Sequence, residues 1–212
     1  MIENWQYEET EALEVRINRL FWELKQSLAF DQASILLAVY RSELVRAEVE
    51  AKLVQQLREL GQRTEQVYIN EQNHDLPMAL RSRADRATTV FFVSGVRFGG
   101  GRDGQNAYRA LNIRREYFVE YRLRMVLWLT EEEERRLPRY APDFWAFRHL
   151  VITFFDNPRL EQIEKHARTA AWQGLDFASF EQDIDAKIAF RQGVLSDIQG
   201  ITETNTDRLE LL

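Results

Sequence analysis

A glycine-rich loop stands out among the segments whose residue types could bind a ligand. It has the sequence GGGRDG at residues 99–104 and precedes a predicted helix. Backbone N–H groups at a helix start can hold an anion, and Arg102 would add positive charge. Glycine-rich loops are more often plain connectors between elements, and we favour that explanation. Anion binding at this loop remains the alternative.

The turn after the first predicted strand lacks the residues of a phosphate-binding loop. A P-loop needs G-x-x-x-x-G-K-[ST] here, because glycines let the backbone approach the phosphates and the lysine neutralises them. Residues 40–44 are instead YRSEL. The third predicted strand ends in VSG and offers no acidic residue for Mg²⁺. The sequence therefore argues against ATP hydrolysis.

No other residues form a catalytic or metal-binding pattern. The histidines His74, His149 and His166 have no metal-ligand spacing. The chain has no cysteine, which excludes disulfides and zinc–thiolate sites, and no G-x-S-x-G elbow. The four glutamates at 131–134 fit a helix start, where the helix dipole favours negative charge. We predict no catalytic residue, no cofactor and no metal, and hence no enzyme.

Arginine is concentrated in the middle of an acidic chain. The formal net charge is −6, yet residues 81–124 hold ten arginines and four acidic residues. Arginine makes planar, two-pronged contacts to carboxylate and phosphate groups. Internal ion pairs with the acidic ends are the simpler explanation, and partner binding is the alternative. The candidate partner-binding residues are Arg97, Arg102, Arg109, Arg114 and Arg115.

Alternating helices and strands predict the fold. Apolar spacing of three and four predicts a first helix over Glu11–Leu28, while continuous apolar runs predict buried strands. Ser42 and Gly61 are expected to begin and end the second helix. After the first helix, the predicted elements are strand Ala33–Tyr40, helix Glu43–Leu60, strand Thr64–Ile69, helix Leu76–Arg83, strand Thr88–Gly95, helix Gln105–Tyr121, strand Leu123–Leu129 and a helix capped by Thr130.

This order predicts an α/β fold with three layers, in which a four-stranded, mainly parallel sheet has flanking N- and C-terminal helices. We assign an N-terminal helix to residues 1–30, an α/β core domain to residues 31–155, and a C-terminal helical extension packed on the core to residues 156–212. The extension contains two predicted helices, Leu160–Trp172 and Phe177–Ile198, the second weakened by Gly193.

The aromatic stretch Ala141–Phe155 is predicted to be helical, with Trp145 buried in the core beside Trp128. No apolar run approaches the ~20 residues of a membrane helix, and the N-terminus lacks a signal-peptide pattern. We therefore expect a cytoplasmic protein without membrane contact.

Three segments resemble a known bacterial module: RALNIRRE at 109–116, LWLT at 127–130 and APDFWAFR at 141–148. They are similar to the N-terminal α/β domain, degenerate and P-loop-like, of conflict and signalling proteins related to the STAND NTPases and often followed by tetratricopeptide repeats. The resemblance covers residues 33–155. This chain differs from the larger family members in lacking Walker motifs and in ending where a repeat array would be expected.

The resemblance, without nucleotide motifs, implies a non-enzymatic adaptor of a bacterial defence or stress-signalling system. An accessory protein of a CRISPR-linked protease system is one version of this role. A protein partner is the leading expectation. A nucleic-acid-binding accessory factor and a degenerate nucleotide sensor that uses the loop at 99–104 are the alternatives. The oligomeric state is left open.

Overall fold

Parallel β-strands form one central sheet. The computed structural model describes residues 11–158, 188 and 190–199. In this part of the chain the strand order is β2-β3-β4-β1-β5, and every neighbouring pair is parallel. The strands are β1 (Ser34–Tyr40), β2 (Arg63–Tyr68), β3 (Thr89–Ser94), β4 (Arg124–Thr130) and β5 (Leu150–Phe154). The α/β class with a parallel sheet is confirmed, whereas the predicted number of four strands is wrong because β5 was missed.

Helices cover both faces of the sheet. On one face lie α1 (Leu13–Ala29) and α2 (Glu43–Glu59); on the other lie α3 (Leu76–Arg81), α4 (Gln105–Ile113), α5 (Glu116–Glu120), α6 (Glu131–Tyr140) and α7 (Pro142–Ala146). Right-handed crossovers explain this division. The chain runs outward from β1 to β2 and then back across the sheet, so α2 and the later helices fall on opposite faces.

Each face of the sheet has its own hydrophobic core. Successive strand residues point to opposite faces, so Leu36 and Ala38 pack towards α1 and α2 while Ile35 and Leu37 pack towards the other helices. All seven residues of β1 are buried, as the continuous apolar run predicts. No helix in the described ranges is long and apolar enough to cross a membrane.

The expected helix over the aromatic stretch is the main correction to the fold. The structure has the five-residue helix α7 there, followed by β5. The run LVITF at 150–154 is rich in β-branched residues, which favour a strand. It pairs in parallel with β1, and the Ile35 amide and carbonyl bond to His149 Nδ1 and the His149 amide. Residues 150–154 thus form an edge strand by hydrogen bonding to the side of β1 that β4 leaves open.

The helix predicted over Gln105–Tyr121 is in fact two helices. It breaks at Arg114 and Arg115 into α4 and α5. Asn112 lies in the last turn of α4, and its side chain contacts α7. Its Oδ1 accepts hydrogen bonds from the amides of Asp143 and Phe144 at 2.8 and 3.2 Å. Asn112 therefore anchors the first turn of α7 on α4.

Trp145 is half-buried, so the expectation that it lies inside the core is wrong. It packs against the edge of the core on the α3–α7 face. The Arg148 guanidinium covers its ring at 3.9 Å from the centroid. Among the tryptophans that the structure describes, Trp128 of β4 is the buried one, and it lies on the opposite face.

Of the predicted C-terminal extension, residues 156–158, 188 and 190–199 are described, and residues 190–199 are helical. The predicted helix Leu160–Trp172 and most of the helix Phe177–Ile198 lie outside the described residues. So do residues 1–10 of the predicted N-terminal segment.

Candidate functional site

The carboxyl ends of the strands are the place where open α/β sheets bind ligands. Here the turn from β1 into α2 consists of Arg41 and Ser42 alone. Ser42 caps α2 as predicted, since its Oγ accepts the Val45 amide at 3.2 Å. The helix therefore starts immediately after the strand. A loop able to wrap phosphates has no room here.

A carboxylate of the chain itself occupies the start of α2. Asp197 Oδ2 accepts a hydrogen bond from Ser42 Oγ at 2.9 Å and one from the Leu44 amide at 3.3 Å. The N-terminus of a long helix attracts negative charge, because its first N–H groups are unpaired and its dipole is positive there. Burial raises the pKa of Asp197, and the hydrogen bonds from Ser42 and Leu44 oppose this shift.

The helical segment 190–199 makes this contact through one face. Phe190, Gly193 and Asp197 are spaced three and four apart, so they lie on the same side. A Cβ at Gly193 would lie 2.2 Å from Cγ of Glu43, and the Arg46 guanidinium lies 5.8 Å from the Phe190 ring centroid. The sequence marks Gly193 as a weak point of a helix. In the structure, its missing side chain is what lets the segment approach α2.

A half-buried charge cluster supports the start of α2. Glu43 accepts hydrogen bonds from Tyr40 Oη at 2.7 Å and from Arg46 Nε at 2.6 Å, and Arg46 also bonds to Glu50 at 3.2 Å. Burial alone would lower the pKa of Arg46, but the carboxylates, Glu43 above all, raise it. Burial also raises the pKa of Tyr40 well above its usual range. Arg46 therefore stays charged and Tyr40 neutral, and neither is suited to proton transfer near neutral pH.

The turn from β4 into α6 is closed by Glu133. Thr130 and Glu133 form a capping box, as the predicted helix start implies. Glu133 Oε2 accepts the Thr130 amide at 2.8 Å, and its Oε1 accepts the Arg97 amide at 3.0 Å. One buried carboxylate therefore ties this turn to the loop after β3.

Asp156 follows β5 at the same edge and is also bound within the chain. Arg16 of α1 binds both of its oxygens, at 2.7 and 2.8 Å, and donates to the Thr153 carbonyl at 2.7 Å. Arg16 is buried, so this pair fastens α1 to the end of β5. The carboxylates named so far at this edge are all engaged by the chain's own groups.

An exposed ion pair links two neighbouring turns of this edge. Arg41, after β1, bonds to Glu131, the first residue of α6, at 2.6 Å. The Arg41 guanidinium also stacks 4.1 Å from the Phe155 ring centroid. The hydrogen bond from Arg41 lowers the pKa of Glu131.

Replacing Glu131 by glutamine should lower stability at pH 7 and have no effect in acid. A carboxyl whose pKa is lower in the folded state stabilises above its unfolded pKa of about 4.3 and loses that contribution as pH falls through the folded pKa. Because the ion pair is exposed, we expect Glu131→Gln to lower the free energy of unfolding by about 0.2–1 kcal/mol at pH 7. Urea unfolding of the native protein and Glu131→Gln from pH 7 to pH 3 measures the difference. A difference that persists undiminished at pH 3 would contradict the ion-pair assignment.

The glycine-rich loop is packed against its neighbours. Gly104 has φ +78°, and a Cβ on it would lie 2.3 Å from the Val96 carbonyl oxygen. A Cβ on Gly99 would lie 2.2 Å from Cβ of Ala107. These glycines allow the loop to fold tightly onto the start of α4. Their observed role is in packing.

Three of the predicted partner-binding arginines are exposed. Arg97 lies over the adjacent Phe98 ring at 4.6 Å, and the Arg102 side chain is 88% exposed, with Asp103 3.8 Å away. Arg109 projects from the outer side of α4. They lie on or beside the glycine-rich loop and α4. Partner binding by these residues stays a prediction.

The other two predicted arginines form internal ion pairs. Arg114 contacts Asp75 at 2.5 Å, which joins the end of α4 to the start of α3. Arg115 contacts Asp143 of α7 at 3.5 Å and lies 5.6 Å from the Phe147 ring centroid. Both are half-buried, as internal pairing implies. Together with Asn112, they place two of the three family-like segments in one helix junction.

The sequence analysis missed two groups of residues. Asp197 was not predicted, since nothing in its local sequence distinguishes it from other acidic residues. Arg81 and Arg86, beside Tyr117 and Tyr121, belong to the arginine-rich segment but are not among the predicted partner-binding residues. The spacing of four between the tyrosines was the available signal, because it places both rings on one side of a helix.

Comparisons with known proteins find distant likenesses of fold. No protein family and no curated protein matches the chain. The Aeropyrum pernix ORC2 protein (ADPNP–ADP complexes) aligns with a TM-score of 0.49 and 9% identity, over 79% of this chain and 54% of that one. The ORC1 protein of the same organism, in complex with DNA, aligns with a TM-score of 0.45 and 12% identity, over 81% of this chain and 52% of that one. The Thermotoga maritima RuvB Holliday junction branch migration motor aligns with a TM-score of 0.42 and 12% identity, over 79% of this chain and 53% of that one.

This chain spans about half the length of these proteins. At such scores and identities the likeness carries no conclusion about function. The α/β fold with a parallel sheet is the confirmed part of the resemblance drawn from sequence. Membership of the STAND-related family stays a prediction.

Proposed function

We propose that this chain is a non-enzymatic protein-interaction module. The observation that carries the proposal is the Asp197 carboxylate at the start of α2. At the edge where α/β domains bind their ligands, the helix terminus most suited to an anion already holds one from the chain. The surrounding Arg41, Glu131 and Glu133 side chains bind one another or the backbone. This arrangement favours a scaffold over a nucleotide-binding enzyme.

The layer α3–α5 has the composition of a binding surface. Protein interfaces are enriched in arginine, tyrosine, phenylalanine and methionine and depleted in lysine. Residues 81–124 contain ten arginines and no lysine. Ile113 and Val119 are 59% and 50% exposed on this layer, and Met78 and Phe98 are also exposed. A partner could bury these apolar side chains while pairing with the arginines.

The type of partner is proposed from the family-like segments alone. A bacterial defence or stress-signalling system, including a CRISPR-linked protease system, is what that resemblance implies. Two of those segments meet where Asn112 and Arg115 contact Asp143, so they join α4 to α7. We expect a scaffold domain of this kind to use the segments in the same structural way.

Affinity capture from the native host tests the proposal. Tagged native protein should recover a specific partner, and an Ile113→Asp/Val119→Asp variant with a normal melting temperature should recover less of it. Recovery of no protein, with or without stress, would overturn the interaction role.

Calorimetric titration with ATP, GTP and dinucleotides tests the nucleotide-sensor alternative. The native protein should give no heat at millimolar ligand, because Asp197 holds the start of α2. Saturable heat in the native protein would replace the adaptor proposal by the sensor. The nucleic-acid alternative predicts a retarded band in a low-salt gel-shift, and steep weakening with salt.

A further inference from the structure

We propose that Arg81 and Arg86 form a binding site for a carboxylate on an acidic segment of a partner protein. This inference rests on the proposed interaction function and names the chemistry of the partner. The site lies at the end of α3 and in the short 3-10 turn Arg86–Thr88, facing α5. Its aromatic side is formed by Tyr117 and Tyr121.

The two tyrosines hold the guanidinium groups in place. Arg81 lies 4.9 Å from the Tyr117 ring centroid and 5.4 Å from that of Tyr121, and Arg86 lies 5.2 Å from Tyr121. The rings are perpendicular, with centroids 5.7 Å apart. Both arginines therefore stand beside the same ring. Contact with an aromatic face positions a guanidinium while leaving N–H groups at its edge available.

Few of the N–H donors of these arginines are used by the residues that the structure describes. Arg81 Nη1 donates to Tyr117 Oη at 3.2 Å, and Arg86 Nη1 donates to the Arg83 carbonyl at 2.7 Å. Within the described residues, no carboxylate lies within ion-pair distance of either. A guanidinium has five N–H donors, so each arginine retains a fork for an external acceptor.

The neighbouring arginines differ in this respect. Arg83 binds Glu65, and Arg114 binds Asp75. Arg122 and Arg124 share the single carboxylate of Asp31. Within the described residues, these neighbours are paired with carboxylates, whereas Arg81 and Arg86, which both contact the Tyr121 ring, have no carboxylate partner. A preformed pair of this kind favours an anion that meets both forks.

The surrounding charges favour a short acidic protein segment over a nucleic acid. Glu116 and Glu120 are exposed on α5, on either side of Tyr117 in sequence. Asp85 lies between Arg83 and Arg86 in the chain. A continuous phosphate backbone would run past these carboxylates, whereas one or two side-chain carboxylates can reach the arginines between them. Exposed Met78, one helical turn before Arg81, adds apolar contact for a peptide.

A fluorescein-labelled peptide rich in glutamate is the probe, and its anisotropy on the native protein at low salt is the measurement. The same peptide with glutamine at those positions should not bind. Arg81→Gln and Arg86→Gln should each weaken binding by about tenfold, since a charge-assisted hydrogen bond is lost. The matched control is Arg58→Gln, which removes the same charge from the opposite face of the sheet and should change nothing. Arg81→Lys keeps the charge but loses the fork, so it should also weaken binding.

Three results would overturn the site. They are no binding of the glutamate peptide to the native protein, an equal loss in Arg58→Gln, and tighter binding of a single-stranded oligonucleotide that depends on the same two arginines. The last result would assign the pair to nucleic acid. The interaction function fails only if affinity capture recovers no partner, so the two tests can fail separately.

Discussion

Replacing Trp128 by alanine should cost about 3–5 kcal/mol of folding free energy, as truncation of a deeply buried aromatic does. Trp128 is 1% exposed at the centre of the sheet, on the face covered by α1 and α2. Its ring meets Tyr40 edge-on at 6.2 Å between centroids and Phe154 at 5.9 Å. These contacts join β4, β1 and β5, so the cavity would open where three strands meet.

Two further variants make this prediction specific. Trp145→Ala should cost only about 1–2 kcal/mol, because that side chain is only partly buried, at the edge of the core. Trp128→Phe should be tolerated better than Trp128→Ala, since the indole N–H has no hydrogen-bond partner among the described residues and a ring still fills the space. Urea unfolding followed by circular dichroism gives the three values. Equal losses in the two tryptophan-to-alanine variants would contradict the assignment of Trp128 to the core and Trp145 to its edge.

The sequence predicts most of this fold because local signals agree with the tertiary structure. Ser42 and Thr130 begin helices and Gly61 ends one where expected, and each acts through hydrogen bonds to residues near it in sequence. The buried strands β1, β3 and β4 are continuous apolar runs with no competing helical spacing. Local chemistry is sufficient for such elements.

β5 could not be predicted because its pairing is non-local. Its β-branched residues favour a strand, but periodicity alone does not distinguish so short an apolar run from part of a buried helix. What selects the strand is the vacant edge of β1, more than a hundred residues earlier in the chain. A half-buried edge strand also has a weaker pattern than a central one.

The candidate site was hidden for the same reason. The bond between Ser42 and Asp197 joins residues 155 positions apart, and no spacing rule connects them. The charge count did indicate that the middle arginines have acidic partners. It could not assign Arg114 to Asp75 or Arg124 to Asp31, because those pairings depend on how the helices and strands pack. Arg81 and Arg86, two of the arginines that have no carboxylate partner within the described residues, can be identified only once the paired arginines are known.

Gly104→Ala should destabilise the protein by about 3 kcal/mol or more, and Gly61→Ala by about 1–2 kcal/mol. Both glycines have a left-handed backbone, with φ of +78° and +71°, so alanine is strained at each by about 1–2 kcal/mol. At Gly61, which ends α2, a Cβ meets nothing within 4 Å. At Gly104 it would lie 2.3 Å from the Val96 carbonyl oxygen and 2.8 Å from Arg97 backbone atoms, and overpacking adds about 1–3 kcal/mol.

The difference between the two variants isolates the packing of the glycine-rich loop from backbone strain. Thermal and urea unfolding of both proteins measures it. If the loop were a loose connector, the chain around Gly104 would adjust and the two losses would be equal, which would contradict the packing role. If the loop instead served an anion, Gly104→Ala would abolish phosphate binding detectable by calorimetry in the native protein. We expect a large stability difference and no such binding, because Gly104 is packed closely against the backbone of Val96 and Arg97.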